Sequence, residues 1–271
     1  MKRALKIFGG LLAVLVVALL AFVAATWAPD RTYEELQPRW APPPSERVEI
    51  AGLKIHLRDE GPRQGATPVV LVHGTSASLH TWDGWAAELA KTRRVLRFDL
   101  PGFGLTGPAA DGDYSIGAYV RVVKAVLDAR GVQEAVLAGN SLGGHVAWAT
   151  AAEHPERVKG LVLVDSAGYP KAPQSMPLGF KLALMPGVRR LLEVTLPRGV
   201  VRTSVENVYG DPSKVSEALV DRYYELTLRE GNRAALPRRL AVAVAAPDPR
   251  AELARVRAPT QWSVAPVATR A

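Results

Sequence analysis

The chain has 271 residues, 48% hydrophobic and 22% charged, with 34 basic against 26 acidic side chains and a formal net charge of +8. That composition excludes large-scale disorder and suits one α/β domain with a full core, while the absence of cysteine removes disulfides, thiolate catalysis and thiolate-bound metals. The positive balance suits an anionic surface, but the basic residues are scattered (Arg93, Arg94, Arg189, Arg190, Arg238, Arg239) without a zinc-finger, basic-zipper or RNA-recognition signature, so no nucleic-acid partner is expected.

Lys2, Arg3 and Lys6 precede a run from Ile7 to Trp27 that carries no charge. About 21 residues at 1.5 Å rise give about 31 Å, the thickness of a bilayer's hydrocarbon core. No polar face appears at any helical phase, which argues against a buried core helix. The run also exceeds the roughly 7 to 15 apolar residues of a cleavable leader. Residues 1–28 are therefore expected to be an uncleaved signal anchor that crosses the inner (cell) membrane once, through residues 7–27. The basic flank stays cytoplasmic, which puts the rest of the chain on the outer, periplasmic side. Residues 29–46 hold Pro29, Pro38, Pro42, Pro43 and Pro44 among charged side chains. They read as a semi-rigid spacer that packs no core and holds the domain off the membrane.

From about Arg47 short apolar runs alternate with helical segments, the pattern of a sheet covered on both faces. Val48–Ala51 and Lys54–Leu57 read as two strands meeting at Ala51-Gly52. Val69–Val72, Val95–Leu100, Ala135–Ala138 and Val158–Val164 read as buried strands. Helices are expected at Ser78–Lys91, at Ser115–Gly131 with a serine cap and a glycine stop, and at Leu142–Glu153. The order is β-β-β-α-β-α-β-α-β. Residues 170–249 leave this pattern, with helices at Leu178–Leu196, interrupted by Pro186, and at Ser213–Glu230, before a strand at Thr260–Val264. Helices inserted there form a cap over the carboxyl ends of the strands, where ligands enter open parallel sheets.

Ala138-Gly139-Asn140-Ser141-Leu142-Gly143-Gly144 sits between a buried strand and a helix. A sharp turn there lifts the Ser141 side chain above the sheet, and the close backbone approach leaves no room for a Cβ at Gly139 or Gly143. The dipole and free amides of the helix N-terminus favour a developing oxyanion beside Ser141, the candidate nucleophile. The backbone N–H groups of Thr75, after His73-Gly74, and of Leu142 are the candidate oxyanion donors. His73 is expected to order its loop, and Asp99 to cap or brace the turn Asp99-Leu100-Pro101-Gly102-Phe103-Gly104.

Taken together, the His73-Gly74 loop, the Asp99–Gly104 turn, the Gly-Asn-Ser-Leu-Gly-Gly corner and His154-Pro155-Glu156-Arg157-Val158 resemble the α/β-hydrolase superfamily from about Arg47 to Ala265. The resemblance implies a mostly parallel sheet flanked by helices, a helical cap shaping an apolar pocket, and an esterase-like or related activity. Serine at the nucleophile position argues against epoxide and carbon–halogen cleavage, which in this superfamily use aspartate.

Such a hydrolase carries an acid and then a histidine on the C-terminal side of its nucleophile. The five histidines, His56, His73, His80, His145 and His154, all precede the cap. His145 is expected in the core or facing the cap, and His154 near the last carbonyls of its helix. Asp165 is the remaining candidate acid, with a loop-bracing carboxylate beside Ser166 and Gly168 as its other reading. Gln261–Ala271 hold neither Gly-x-x-Asp nor histidine, so the resemblance implies a chain shortened relative to the family, lacking its last strand and helix, with Ala265–Ala271 an unrelated tail. A serine hydroxyl without a base is a poor nucleophile. Two functional readings follow. One is a membrane-anchored serine hydrolase that forms an acyl-enzyme on small apolar ester-like substrates or on related acyl or carbon–carbon bonds; the other is an inactive member that keeps only the pocket. Neither calls for a cofactor or a metal.

Overall fold

The computed structural model describes residues 2–169, 185–209, 211–245 and 248–263. Helix α1 (Lys2–Thr26) is unpacked: its stretch Lys6–Thr26 has a mean hydropathy of 2.9 and none of it is buried against the protein. An apolar helix of that length left bare is a membrane anchor or a signal sequence.

The segment that follows differs from the expected spacer. Thr32 and Glu35 form a reciprocal capping box, with Thr32 Oγ1 accepting from the Glu35 amide at 3.2 Å and Glu35 Oε2 from the Thr32 amide at 2.7 Å. Helix α2 (Tyr33–Trp40) starts there and buries Tyr33 and Leu36 in a cluster with Leu105 and Leu226. Pro38 removes one helical hydrogen bond, a loss that burying two large side chains outweighs. Proline density points to a stiff linker; the cap and the apolar pair make the segment part of the domain. Backbone bonds complete the attachment: Ala28 N to Val194 O at 2.9 Å, Leu196 N to Thr26 O at 3.0 Å, Arg31 N to Leu228 O at 2.7 Å and Glu230 N to Arg31 O at 2.8 Å.

Seven strands form one sheet: β1 (Glu46–Ile50), β2 (Leu53–Glu60), β3 (Ala66–Val72), β4 (Arg93–Phe98), β5 (Ala135–Asn140), β6 (Val158–Val164) and β7 (Thr260–Ser263), in the order β1-β2-β4-β3-β5-β6-β7. The first pair is antiparallel, as is β2 against β4; from β4 to β7 the pairing is parallel. Successive residues of β3 feed opposite faces. Val70 and Val72 enter the larger core with Phe98, Leu137 and Trp148, whereas Val69 and Leu71 enter the smaller one with Trp82 and Val95. Period-two alternation with both faces covered turns a strand into an unbroken apolar run.

Helices α3 (Asp83–Leu89), α4 (Ile116–Ala129) and α5 (Leu142–Glu153) lie between these strands in chain order. Ser115 caps α4 by accepting from the Ala118 amide at 3.2 Å, and Gly131 follows it at φ +62°. The expected helix over 78–91 is a 3-10 turn (Leu79–Trp82) running into α3.

Beyond β6 come α6 (Pro186–Val194), α7 (Arg198–Val208), α8 (Glu217–Thr227), α9 (Asn232–Ala245) and α10 (Arg250–Leu253). The expected helix Leu178–Leu196 lies partly outside the described residues. Within them Pro186 opens α6 at its first turn instead of interrupting a longer helix. Helix α9 has no counterpart in the sequence reading, because Pro237 and its run of alanines blur any apolar stripe. Of the expected last strand, Thr260–Ser263 is β7 and Val264 lies outside the described residues.

If residues 33–40 belong to the core, Leu36→Ala lowers the unfolding free energy by about 2–5 kcal/mol. Denaturant unfolding measures this, and a mere spacer would show no change.

Candidate active site

Residue 141 is where the chain leaves β5 and enters α5. Ser141 adopts φ +51° and ψ −116°, and its side chain does not cap the helix that follows. A β-carbon on Gly139 would lie 2.2 Å from Gly143 O, and one on Gly143 would lie 2.1 Å from Val72 O. Both glycines are therefore obligatory, as the sequence spacing implies. The Ser141 amide donates to Val164 O at 3.0 Å, Asn140 Nδ2 donates to the same oxygen at 3.2 Å, and Ser141 O accepts from Ala167 N at 2.9 Å. These bonds hold a backbone conformation that costs about 1–3 kcal/mol and turn the side chain out of the helix.

The loop after β3 packs directly on this corner. A β-carbon at Gly74 would lie 3.1 Å from Ser141 Cβ and 2.8 Å from Asn140 Oδ1. Thr75 follows on this loop, and Leu142 is the first residue of α5, whose opening amides have no partner within the helix. Among the described residues no backbone bond between elements uses the N–H of Thr75 or Leu142.

His73 orders the loop. Its Nδ1 donates to Gly74 O at 2.8 Å, its Nε2 accepts from the Leu100 amide at 2.9 Å, and its ring meets Phe103 edge-on at 5.5 Å. Burial pushes its pKa down and keeps the ring neutral.

Asp99 braces the neighbouring turn from a completely buried position. It accepts from the Leu79 amide, the Leu105 amide and His56 Nδ1, each at 2.7 Å. Burial pushes this carboxyl up, but its interaction with His56, hydrogen-bonded to it, outweighs burial and holds the carboxyl well below its usual range. His56 Nε2 lies 3.0 Å from Ser45 Oγ, which repeats the connectivity of a catalytic relay. His56 and Asp99 are, however, wholly buried, and Arg58 Nε donates to Ser45 Oγ at 2.8 Å. The three side chains are a brace joining β1, β2 and β4, and only the folded sheet reveals it.

The remaining candidates are spread around the corner. His145 stacks on Trp148 with centroids 4.5 Å apart and an interplanar angle of 17°. Burial lowers its pKa to about 4, so it is neutral at pH 7, a half-buried ring packed on Trp148. His154 lies 3.8 Å from Glu156, and its amide, in place of its ring, donates to the helical carbonyl of Thr150. Asp165 sits at φ +45° just past the end of β6, its amide donating to Ser263 O at 3.0 Å. Among the described residues no side chain hydrogen-bonds Ser141 Oγ, and no group of His, Asp and Glu could hold a metal.

The sequence profile of the α/β hydrolase fold matches residues 67–236. Curated relatives include the 2-hydroxymuconate semialdehyde hydrolase of Pseudomonas sp. (strain CF600), 32% identical over 204 residues, 72% of this chain and 65% of that protein. Another is the 2-hydroxy-6-oxo-2,4-heptadienoate hydrolase of Pseudomonas putida, 32% identical over 187 residues, 68% of this chain and 63% of that protein. The chain thus spans under two thirds of the length of these relatives. Among solved structures, a membrane phospholipase A described as a bacterial virulence factor superposes with a TM-score of 0.65 at 26% identity, over 97% of this chain and 82% of its own.

The depressed carboxyl of Asp99 fixes the sign of a pH effect. A carboxyl held below its usual 3.8 contributes stability above that pH and loses it as pH falls through the lower folded value. Asp99→Asn is therefore expected to destabilise the chain at pH 7, with the gap from wild type narrowing below about pH 4. Thermal unfolding across pH 3–8 measures it, and a gap independent of pH would contradict the ionised brace.

Proposed function

The chain belongs to the α/β-hydrolase family, and we propose that it is a serine hydrolase that forms an acyl-enzyme at Ser141. The observation that carries this reading is the corner itself: a non-glycine residue at φ +51°, flanked by two glycines that admit no β-carbon and covered by the Gly74 loop. Strain of this kind persists only where the surrounding structure enforces it, and it concentrates at working sites.

In this reading Ser141 Oγ bonds to the acyl carbon while its proton passes through solvent water to the leaving group, whose bond to that carbon breaks. The N–H groups of Thr75 and Leu142 hold the oxygen that is negative in between, and a water then hydrolyses the acyl-enzyme and restores the hydroxyl. Each such donor contributes about 3 kcal/mol of transition-state stabilisation, aided by the N-terminal dipole of α5. Asp165 is the candidate acid of this reading; what supports it is its place just past the strand end whose Val164 carbonyl anchors Ser141. The substrates are small and largely apolar, with an ester or related acyl bond. The printed activities of the two Pseudomonas relatives add hydrolysis of carbon–carbon bonds in keto or semialdehyde compounds to the substrates worth profiling.

Helix α1 is the membrane anchor of this enzyme, with the hydrolase domain on the outer side of the inner membrane. Because Thr26, Ala28 and Arg31 are bonded to the cap through Leu196, Val194 and Leu228, the domain rests against the bilayer instead of standing off from it. A specific observation favours a second reading, a member that keeps the pocket without turnover: no described side chain hydrogen-bonds Ser141 Oγ.

A fluorophosphonate probe is expected to label the folded full-length chain, and Ser141→Ala to abolish labelling and lower ester turnover by about 10⁴-fold or more. A well-folded chain that stays unlabelled would overturn the nucleophile and leave the second reading. The anchor is expected to keep the chain in the pellet through an alkaline carbonate wash, whereas Leu15→Arg, costing about 2.5–3.5 kcal/mol at mid-bilayer, releases part of it.

A further inference from the structure

Beyond residue 26, four large apolar side chains among the described residues are more than half exposed: Trp27 at 57%, Met185 at 52%, Val200 at 59% and Val208 at 75%. They are not scattered. Trp27 follows the last residue of α1, Met185 stands just before α6, and Val200 and Val208 lie on α7. The rest of the domain's described surface shows only Trp85 and Trp262, each less than half exposed. Exposed apolar groups gathered in one region mark a surface for a partner or a membrane.

Helix α7 shows how that surface is built. Arg198, Arg202 and Glu206 recur every four residues and so share one face. All three are engaged: Arg198 pairs with Asp221 at 2.6 Å and with Glu217 at 2.8 Å, and Arg202 pairs with Glu217 and, at 3.7 Å, with Glu206. Val205 is buried with Val215 and Val220 in a small core against α8. The residues left facing outward, Val200, Thr203, Ser204, Asn207 and Val208, are exposed and carry no charge. The Ser204 hydroxyl turns back to donate to Val200 O at 2.8 Å. A helix face bound for water carries charged side chains where this one carries valines.

Continuity with α1 says what covers this face. Thr195 pairs with Trp27 in an antiparallel bridge, Ala28 N donates to Val194 O at 2.9 Å, and Leu196 N donates to Thr26 O at 3.0 Å. The end of α6 and the start of α7 therefore lie against the last turn of a helix whose apolar stretch Lys6–Thr26 is bare of protein contacts. Four residues of chain reach about 14 Å at most, so Val200 lies within that distance of Leu196 and hence close to the exit of α1. Trp27 stands where tryptophan favours the membrane–water boundary, and amphipathic helices rest with their apolar face about 5–10 Å into that boundary. We infer that the outward face of α7, with Trp27 and Met185, is a docking surface for the headgroup region of the bilayer, so that the cap and not the sheet lies on the lipid. The surface rests on the anchor reading of α1 and goes beyond it, since an anchor alone leaves open which face of the domain meets the membrane.

The chain has no cysteine, so one introduced cysteine carries a fluorophore at one known place. Val200→Cys and Val208→Cys put it on the docking surface, and Lys91→Cys, exposed just before β4 at the amino end of the sheet, puts it away from the cap. The full chain is reconstituted in vesicles of phosphatidylcholine and phosphatidylglycerol that include phosphatidylcholine with a nitroxide on its headgroup. Quenching at residues 200 and 208 is expected to exceed that at residue 91 about threefold or more. Quenching no greater than at residue 91 would overturn the surface. Cross-linking between Val208→Cys chains without lipid quenching would overturn it too, giving the face to a second copy. Leu15→Cys with a nitroxide on the acyl chain reads the anchor separately. A quenched residue 15 beside unquenched residues 200 and 208 keeps the anchor and loses the surface. An unquenched residue 15 beside quenched residues 200 and 208 loses the anchor and keeps the surface as a peripheral contact.

Discussion

The end of β3 and the start of α5 approach so closely that Val72 O would touch a side chain on Gly143, and Gly143 O one on Gly139. That contact is the constraint on which the rest depends. The β5–α5 turn must be sharp, so Ser141 takes a left-handed φ and its side chain caps no helical amide. It also brings the Gly74 loop against Ser141 and Asn140, so that one packing contact positions both the corner and the loop beside it. Glycine is required here by backbone contact on two sides, not by flexibility.

A buried polar framework keeps the two neighbouring loops in register. His73 joins its own loop to the Leu100 amide, and Asp99 collects amides from Leu79 and Leu105 together with His56. Each of these side chains is wholly buried, and such groups are tolerated because their donors and acceptors are matched. Gly104 completes the arrangement, since a β-carbon there would fall 2.1 Å from Asp99 Oδ2. The loops that border the site are thus rigid, a condition for preorganised electrostatics.

Helices α8 and α9 are continuous with the N-terminal segment. Asp30 accepts from Gly231 and Arg233, Arg39 pairs with Asp221 and Glu225, and Trp40 Nε1 donates to Glu225 at 2.6 Å. The exit of α1, helix α2, and helices α8 and α9 form one packed layer over the sheet. Helices α8 and α9 are therefore tied to the segment that follows α1, with the Arg233–Asp30 pair as one of the links.

Local chemistry wrote much of this chain's architecture into its sequence. The apolar runs of β3, β5 and β6, the serine cap of α4, the span of α5 and the glycine-flanked Ser141 depend on neighbours within a few residues, and period and spacing report them directly. The uncharged run of the first helix beyond Lys6 is legible for the same reason. What tertiary structure decided involves partners far apart along the chain. Residues 33–40 have the proline content of a linker, and only Leu105 and Leu226 supply the surface that buries Tyr33 and Leu36. The Ser45–His56–Asp99 brace joins positions brought together by strand pairing, and no motif in the sequence marks it. Arg239 reads as one more scattered basic residue until packing places its guanidinium 4.0 Å from the Phe103 ring. Short-range hydrogen bonding and periodicity fixed the elements; burial, which is a property of the whole fold, fixed which polar groups have a task.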